Sequence, residues 1–285
     1  MILLDGGLAT ELEARGHDLS GALWSARLLA EDPQEIIAAH ETFFRAGADV
    51  AITASYQASF EGFAAQGFEP EQTAVLLRRS VELARRAREL VGGTRWVAAS
   101  LGPYGAILAD GSEYRGRYGL SVGWLTGFHR ARAEILAEAG PDLFALETVP
   151  DIDEAVAMLA AIDGLGVRAW LSYTIEGDRT RAGQPLAEAF SVAAGDERIV
   201  AVGVNCCAPE DVGPALEIAR QVTGKPVIAY PNSGEVWDAA ARRWTGGSRF
   251  RPELLAGADL AGGCCRVRPA DIARLRHTME TVAGH

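Results

Sequence analysis

Lysine is almost missing from this 285-residue sequence: Lys225 is the only one, and arginine supplies the rest of the positive charge. Schiff-base aldolases and pyridoxal-phosphate enzymes need a lysine at the reacting face. Lys225 instead precedes the apolar run Pro226-Val227-Ile228, at the expected start of a strand, so amine-based covalent catalysis is disfavoured. Positive charge is scarce overall. The formal net charge of −11 argues against a nucleic-acid partner and suits cationic small molecules. No long uncharged apolar segment occurs, so no membrane span is expected. Met1-Ile2-Leu3-Leu4-Asp5 lacks the basic, cleavable character of an export signal, which points to a reducing, cytoplasmic location. Nucleotide loops are missing as well: there is no Walker sequence, and no Gly-x-Gly-x-x-Gly opens a helix after the first strand. Gly119-Leu120-Ser121-Val122-Gly123 has the Gly-x-Ser-x-Gly spacing, but it follows a long loop where a nucleophile elbow must follow a strand. His17, His40, His129, His277 and His285 include no i, i+4 pair, which leaves them surface or packing roles.

What is present is a regular alternation. Short apolar runs at Ile2 to Leu4, Val50 to Ser55, Trp96 to Leu101, Leu143 to Thr148, Ala169 to Thr174, Ile199 to Cys206, Pro226 to Pro231 and Leu260 to Cys265 are separated by amphipathic stretches. The clearest helix runs from Glu71 to Val91, with Leu76, Leu83, Ala87 and Leu90 on one face and Arg78, Arg79, Arg85 and Arg86 on the other. Continuous apolar strands between helices predict a parallel sheet covered by helices. Eight such units predict one (β/α)₈ TIM barrel spanning residues 1–285, without a second domain. The segments Pro103 to Gly119, Glu176 to Pro185 and Asn232 to Phe250, each following a strand, are long and rich in Gly, Tyr, Asp and Arg. They mark the C-terminal mouth of the barrel as the functional face.

Cysteine occurs only as two adjacent pairs, Cys206-Cys207 and Cys264-Cys265, and both fall at that mouth. Neighbouring cysteines are poorly spaced to bond each other. Thiolates gathered from two distant segments suit Zn²⁺, which binds sulfur at about 2.3 Å in a tetrahedron and leaves one position open when catalytic. Buried core filler and a disulfide between the pairs are the competing readings, the latter disfavoured by a reducing compartment. Asp5-Gly6-Gly7 closes the first strand either as an anion-receiving turn or as a plain turn with Asp5 capping the next helix. Glu147, directly after the apolar run Leu143-Phe144-Ala145-Leu146, must meet a structural arginine or face the mouth as a ligand for a cation.

The segments Leu3-Leu4-Asp5-Gly6-Gly7-Leu8-Ala9-Thr10-Glu11-Leu12, Leu23-Trp24-Ser25-Ala26, Thr53-Ala54-Ser55-Tyr56-Gln57, Ser100-Leu101-Gly102-Pro103-Tyr104-Gly105, Glu147-Thr148, Gly203-Val204-Asn205-Cys206, Tyr230-Pro231-Asn232-Ser233-Gly234-Glu235 and Gly262-Gly263-Cys264-Cys265 carry a resemblance over nearly the whole chain. In this order they resemble the homocysteine S-methyltransferases of bacteria and plants. That family shares its zinc barrel with betaine-homocysteine methyltransferase and with the homocysteine domain of cobalamin-dependent methionine synthase. The resemblance implies that Cys206, Cys264 and Cys265 bind Zn²⁺, that Asp5 and Glu147 hold the homocysteine ammonium, and that backbone amides near Gly6 and Gly7 take its carboxylate. It also implies methyl transfer from a sulfonium donor, S-methylmethionine or S-adenosylmethionine, with no obligatory protein partner. Betaine or partner-bound methylcobalamin as donor, and a non-catalytic thiol-binding barrel, are the rival readings. The chain ends about 20 residues after Cys265, too soon for a long oligomerisation arm. Pro103 to Gly119 and Asn232 to Phe250 are the expected donor-site loops. Cys207 departs from relatives that lack a second cysteine there. Strand alternation would turn Cys206 away from Asn205 and Cys207, and would let Cys264 and Cys265 share a metal only through a bulge or twist near Gly262-Gly263.

Overall fold

The computed structural model describes residues 1–19, 23–238 and 243–283. Eight parallel strands form the sheet: β1 Ile2–Leu3, β2 Val50–Ile52, β3 Trp96–Leu101, β4 Leu143–Val149, β5 Ala169–Tyr173, β6 Ile199–Asn205, β7 Val227–Tyr230 and β8 Leu260–Ala261. Each follows its predecessor around the ring. The parallel bridge Leu4 to Val50 joins β1 to β2, and β1 pairs with β8, so the sheet closes on itself. The outer layer contains α1 Leu8–Ala14, α2 Pro33–Arg45, α3 Pro70–Val91, α4 Val122–Glu138, α5 Ile152–Ala161, α6 Leu186–Ser191, α7 Val212–Thr223 and α8 Pro269–Ala283. The expected (β/α)₈ barrel is therefore the observed one. No described helix is long and apolar enough to cross a membrane.

Two cores follow from strand alternation, which sends successive side chains to opposite faces. The outer core packs Phe43, Phe44, Leu77, Val97, Phe144, Leu171 and Val202 between strands and helices. The inner core holds Leu4, Val50, Ala98, Ala145, Trp170, Ala201, Ile228 and Leu260. Two residues further along β3, β4 and β5, the same inward face carries Ser100, Glu147 and Ser172. On β6 it reaches Asn205 and on β7 Tyr230. The barrel is thus apolar at its base and polar at its mouth. Tyr230 Oη accepts from Trp170 Nε1 at 2.9 Å and lies 2.7 Å from Ser172 Oγ. Ser172 Oγ donates to Asn205 Oδ1 at 2.8 Å. Such mutual satisfaction is what lets a polar layer be buried at little cost.

Smaller expectations are resolved as well. Lys225 lies at the far end of the barrel, its Nζ donating to Asp196 O and Ile199 O at 2.9 and 3.0 Å. Ser121 caps α4, accepting from Trp124 N at 3.2 Å, so the Gly-x-Ser-x-Gly spacing is a helix start. On α3, Leu76, Leu83 and Ala87 are buried as expected, but Leu90 is 49% exposed because the last turn of the helix overshoots the core. The arginines of that helix are not merely solvated. Arg79 donates to Leu29 O at 2.8 Å, and Arg78 pairs with Glu138 at 2.6 Å. His40 and His129 are fully buried packing residues. His285 lies outside the described residues, as does the 239–242 part of the Asn232 to Phe250 loop.

Candidate active site

The strand ends deliver the sulfurs. β6 stops at Asn205, and Cys206 has φ of 47°, in the left-handed region. This costs a non-glycine residue about 1–2 kcal/mol, and it breaks the alternation that would have turned Cys206 away from the mouth. The same happens two strands away, on β4, at Thr148, with φ of 57°, just after Glu147. One side chain holds both turns: Asn205 Oδ1 accepts from Thr148 N and Asn205 Nδ2 donates to Thr148 Oγ1, each at 2.7 Å. Cys206 O accepts from Thr174 Oγ1 at 3.1 Å. No local sequence pattern announces this lock.

Cys264 and Cys265 reach the same place by another route. β8 ends at Ala261, and the glycines that follow allow close approach rather than positive φ: a Cβ on Gly262 would meet Leu4 Cβ at 2.6 Å, and one on Gly263 would collide with Val267. Gly263 N donates to Asp5 O at 3.0 Å and Cys264 N to Pro231 O at 2.8 Å. Cys265 N donates to Asn232 Oδ1 at 3.1 Å. Both cysteines therefore lie beyond the strand, and the parity constraint does not apply to them.

The Cys206, Cys264 and Cys265 sulfurs lie within 4.8 Å of one another. Tetrahedral zinc at about 2.3 Å from each sulfur would set them about 3.8 Å apart, so the donor set fits the metal in type and placement. Burial pushes the Cys265 thiol up to about 11, so it stays protonated unless a cation sits beside it. The Cys206 and Cys264 sulfurs are in contact, with their Cα atoms 5.6 Å apart. Converging strand ends thus bring the two residues within disulfide range as well as within reach of one metal. A disulfide sulfur is no thiolate donor, so metal loading requires this pair reduced. Cys207 is buried on the outer-core side, where desolvation pushes its thiol up strongly. Cys207→Ser should accordingly keep the metal and most activity, measured as metal content and turnover after reductive purification.

The sulfurs border a cavity of about 130 Å³, also lined by Gly6, Gly7, Tyr56, Tyr114, Glu147 and Tyr230. Drug-sized ligands occupy about 300–1,000 Å³, so this space suits a compact amino acid. Glu147 is 6% exposed and accepts from Ser100 Oγ. Burial pushes it up to about 7 against the hydrogen bonds of Ser100 and Tyr230. Among the described residues no arginine pairs with it, which disposes of the structural-arginine reading. Asp5 lies behind the cavity wall and is 1% exposed. Its Oδ2 accepts from Ile52 N at 2.9 Å, while Oδ1 has no hydrogen-bond partner. Burial, then the nearby Glu147, raise its carboxyl well above the usual range. Asp5 is thus no helix cap. α1 begins after Gly7, whose own N–H is spent on Val267 O at 2.9 Å. Of the amides near Gly6 and Gly7, that of Gly7 is therefore engaged, and those left without intrahelical acceptors belong to the first turn, Leu8 to Thr10.

Sequence comparison agrees with this construction. The family model described as homocysteine S-methyltransferase matches residues 2–279. The homocysteine S-methyltransferase of Escherichia coli is 46% identical over 97% of this chain and 94% of its own length. Homocysteine S-methyltransferase 4 of Zea mays is 45% identical over 98% and 89%. The crystal structure of the E. coli homocysteine methyltransferase MmuM in its metallated form matches with a TM-score of 0.87 at 45% identity, covering 98% of this chain and 96% of that one. Its oxidized form matches with a TM-score of 0.88 over the same coverage. The chain belongs to the homocysteine S-methyltransferase family and is an enzyme of the methyltransferase class.

Proposed function

We propose that this enzyme transfers a methyl group from a sulfonium donor, S-methylmethionine or S-adenosylmethionine, to homocysteine held at Zn²⁺ by Cys206, Cys264 and Cys265. The observation that carries the reading is the convergence of three sulfurs on a cavity of amino-acid size with a buried, arginine-free carboxylate in its wall. When bound, the metal keeps the acceptor sulfur as a thiolate at neutral pH, where a free thiol with a pKa near about 8.5 is mostly protonated.

The rest falls to the chain. Glu147 in the cavity wall carries the charge for the homocysteine ammonium, and Asp5 behind it, with its partnerless Oδ1 and raised carboxyl, ionises only against that cation. Gly6 and the first-turn amides of α1 offer donors to its carboxylate. Tyr56, Tyr114 and Tyr230 wall the cavity and keep water from competing as a nucleophile. The methyl carbon forms its new bond to the acceptor sulfur while its bond to the donor sulfur breaks, that electron pair neutralising the sulfonium. Positive charge is dispersed rather than negative charge created, so no oxyanion hole is needed and the contribution of the fold is positioning.

Two outcomes test this. Initial-rate assays with three donors should give the highest kcat/KM with S-methylmethionine, a lower value with S-adenosylmethionine and none with betaine. The first donor needs only a sulfonium and an amino-acid end, whereas no adenosine loop is visible in the sequence. Betaine outperforming both sulfoniums would place the chain in another branch of chemistry. The second test is pH. A cation binds the ionised form of Glu147, and in the substrate-free enzyme that form dominates only above about 7. Hence kcat/KM for homocysteine should rise with pH through that value, and the rise should flatten in Glu147→Gln.

A further inference from the structure

The 130 Å³ cavity is too small for two substrates, and no lysine or arginine lines it. A second cleft of about 370 Å³ meets it at the metal site, and the two share Tyr114 and Cys206. This cleft has the positive charge the first one lacks: Arg181 lines it, together with Glu176, Asp211 and Asn232.

Its walls are built and tied together. A hairpin, Ile175–Glu176 paired with Arg179–Thr180, is inserted after β5. Arg181 N donates to Thr174 O at 3.2 Å, and Thr174 in turn holds the carbonyl of Cys206. Gly177 N donates to Asp211 Oδ2 at 3.2 Å, clasping the hairpin to the start of α7. Arg181 Nε donates to Tyr114 O at 3.2 Å, and its guanidinium lies 5.8 Å from the centre of the Tyr114 ring. Arg181 is 31% exposed, and its ion pair with Glu176 is long, at 3.5 Å, to a carboxylate that is 85% exposed. Its fork is therefore not saturated by a buried partner and remains available to a carboxylate. Asn232 bridges to the site through Cys265 N.

We propose that this cleft is the methyl-donor subsite, resting on the reading of the enzyme as a sulfonium-dependent methyltransferase. Arg181 receives the α-carboxylate of an amino-acid sulfonium and Asp211 its ammonium. The Tyr114 ring, at the boundary of the two cavities, lies against the sulfonium, which an aromatic face attracts as it does other cations. Entry from this side brings the donor methyl towards the acceptor sulfur through the cleft that borders Cys206. In-line displacement requires the acceptor sulfur, the methyl carbon and the donor sulfur to align, which two separate cavities meeting at the metal site allow.

The test is steady-state kinetics of the reduced, metal-loaded enzyme with homocysteine and S-methylmethionine, plus calorimetric titration of S-methylmethionine alone. Arg181→Met should raise the donor KM, and weaken donor binding, by about tenfold or more. The homocysteine KM and metal content should stay at wild-type values. Arg181→Lys should recover part of the loss, because charge returns without the fork. Asp211→Asn should raise the donor KM without touching the acceptor KM. An unchanged donor KM in Arg181→Met and Asp211→Asn, with active wild-type enzyme, would overturn the subsite and leave the function intact. A fall in kcat alone, or equal losses for both substrates, would overturn it too, showing that Arg181 merely props Tyr114. Wild-type enzyme that neither binds nor consumes any sulfonium would overturn the underlying function and the subsite with it.

Discussion

Cys265→Ser is expected to release the metal and abolish methyl transfer while leaving the fold intact. Structural zinc sites bind with about 10–16 kcal/mol spread over four ligands, so one thiolate is worth roughly 2.5–4 kcal/mol, or about a hundred- to a thousandfold in metal affinity. Cys206→Ser and Cys264→Ser should lose metal to a similar extent. The three variants separate in one respect. Cys265→Ser keeps both sulfurs of the Cys206–Cys264 contact, whereas the other two remove one partner of it. Thiol titration after oxidation of the metal-free protein should therefore find a Cys206–Cys264 disulfide in Cys265→Ser and none between these positions in Cys206→Ser and Cys264→Ser. Metal analysis after reductive purification should find all three depleted and Cys207→Ser loaded. Loading that depends on Cys207 and not on Cys206 would assign the wrong member of the pair.

Glu147→Gln should weaken catalysis and strengthen the fold. An ammonium loses its buried counter-charge, which commonly costs about 2–5 kcal/mol, so kcat/KM for homocysteine should fall at least about tenfold with metal retained. Stability moves the other way. Burial raises this carboxyl from 4.5 to about 7. A group raised on folding contributes stability that is present below its unfolded pKa and lost as pH rises through the folded one. Above pH 7 the substrate-free enzyme therefore carries an ionisation cost of about 3 kcal/mol at this position, which glutamine removes. Thermal melts at mildly alkaline pH should show a Tm higher by several degrees, and the gain should shrink as the pH is lowered. Asp5→Asn should behave similarly in kinetics, since its amide oxygen can still accept from Ile52 N while the charge is gone. Wild-type kcat/KM for homocysteine in both variants would sink the ammonium assignment.

The barrel was legible because its strands, buried on both faces, appear as continuous apolar runs. Trp96–Leu101 agrees at both ends, and the other strands agree within a few residues. The run Leu260 to Cys265 was read too long, because Gly262 and Gly263 mark a close packing of backbone against Leu4 and Val267 rather than continued strand. Glu147 was legible as a charge inside an apolar strand. Its inward direction follows from Ala145 two residues earlier. Parity misled at Cys206, because a left-handed residue is a property of tertiary locking, here through Asn205 and Thr148, and no local pattern announces it. The engaged amide of Gly7 and the Cys206–Cys264 contact depend likewise on segments distant in sequence. Two cleft walls, carrying Tyr114 and Asn232, fall in loops expected to serve the donor. The third, the hairpin leading to Arg181, falls in Glu176 to Pro185, a loop expected at the functional mouth but not assigned to the donor.

Methyl transfer at a three-cysteine metal site is tested most directly by quantitative product analysis. Reduced enzyme, reconstituted with zinc and incubated with S-methylmethionine and homocysteine, should form two molecules of methionine per donor consumed, one from each substrate, with no added protein or cobalamin. Enzyme stripped of metal or substituted at Cys265 should form none. Equal turnover by metal-loaded and metal-free enzyme, or donor left unconsumed by fully loaded enzyme, would contradict it.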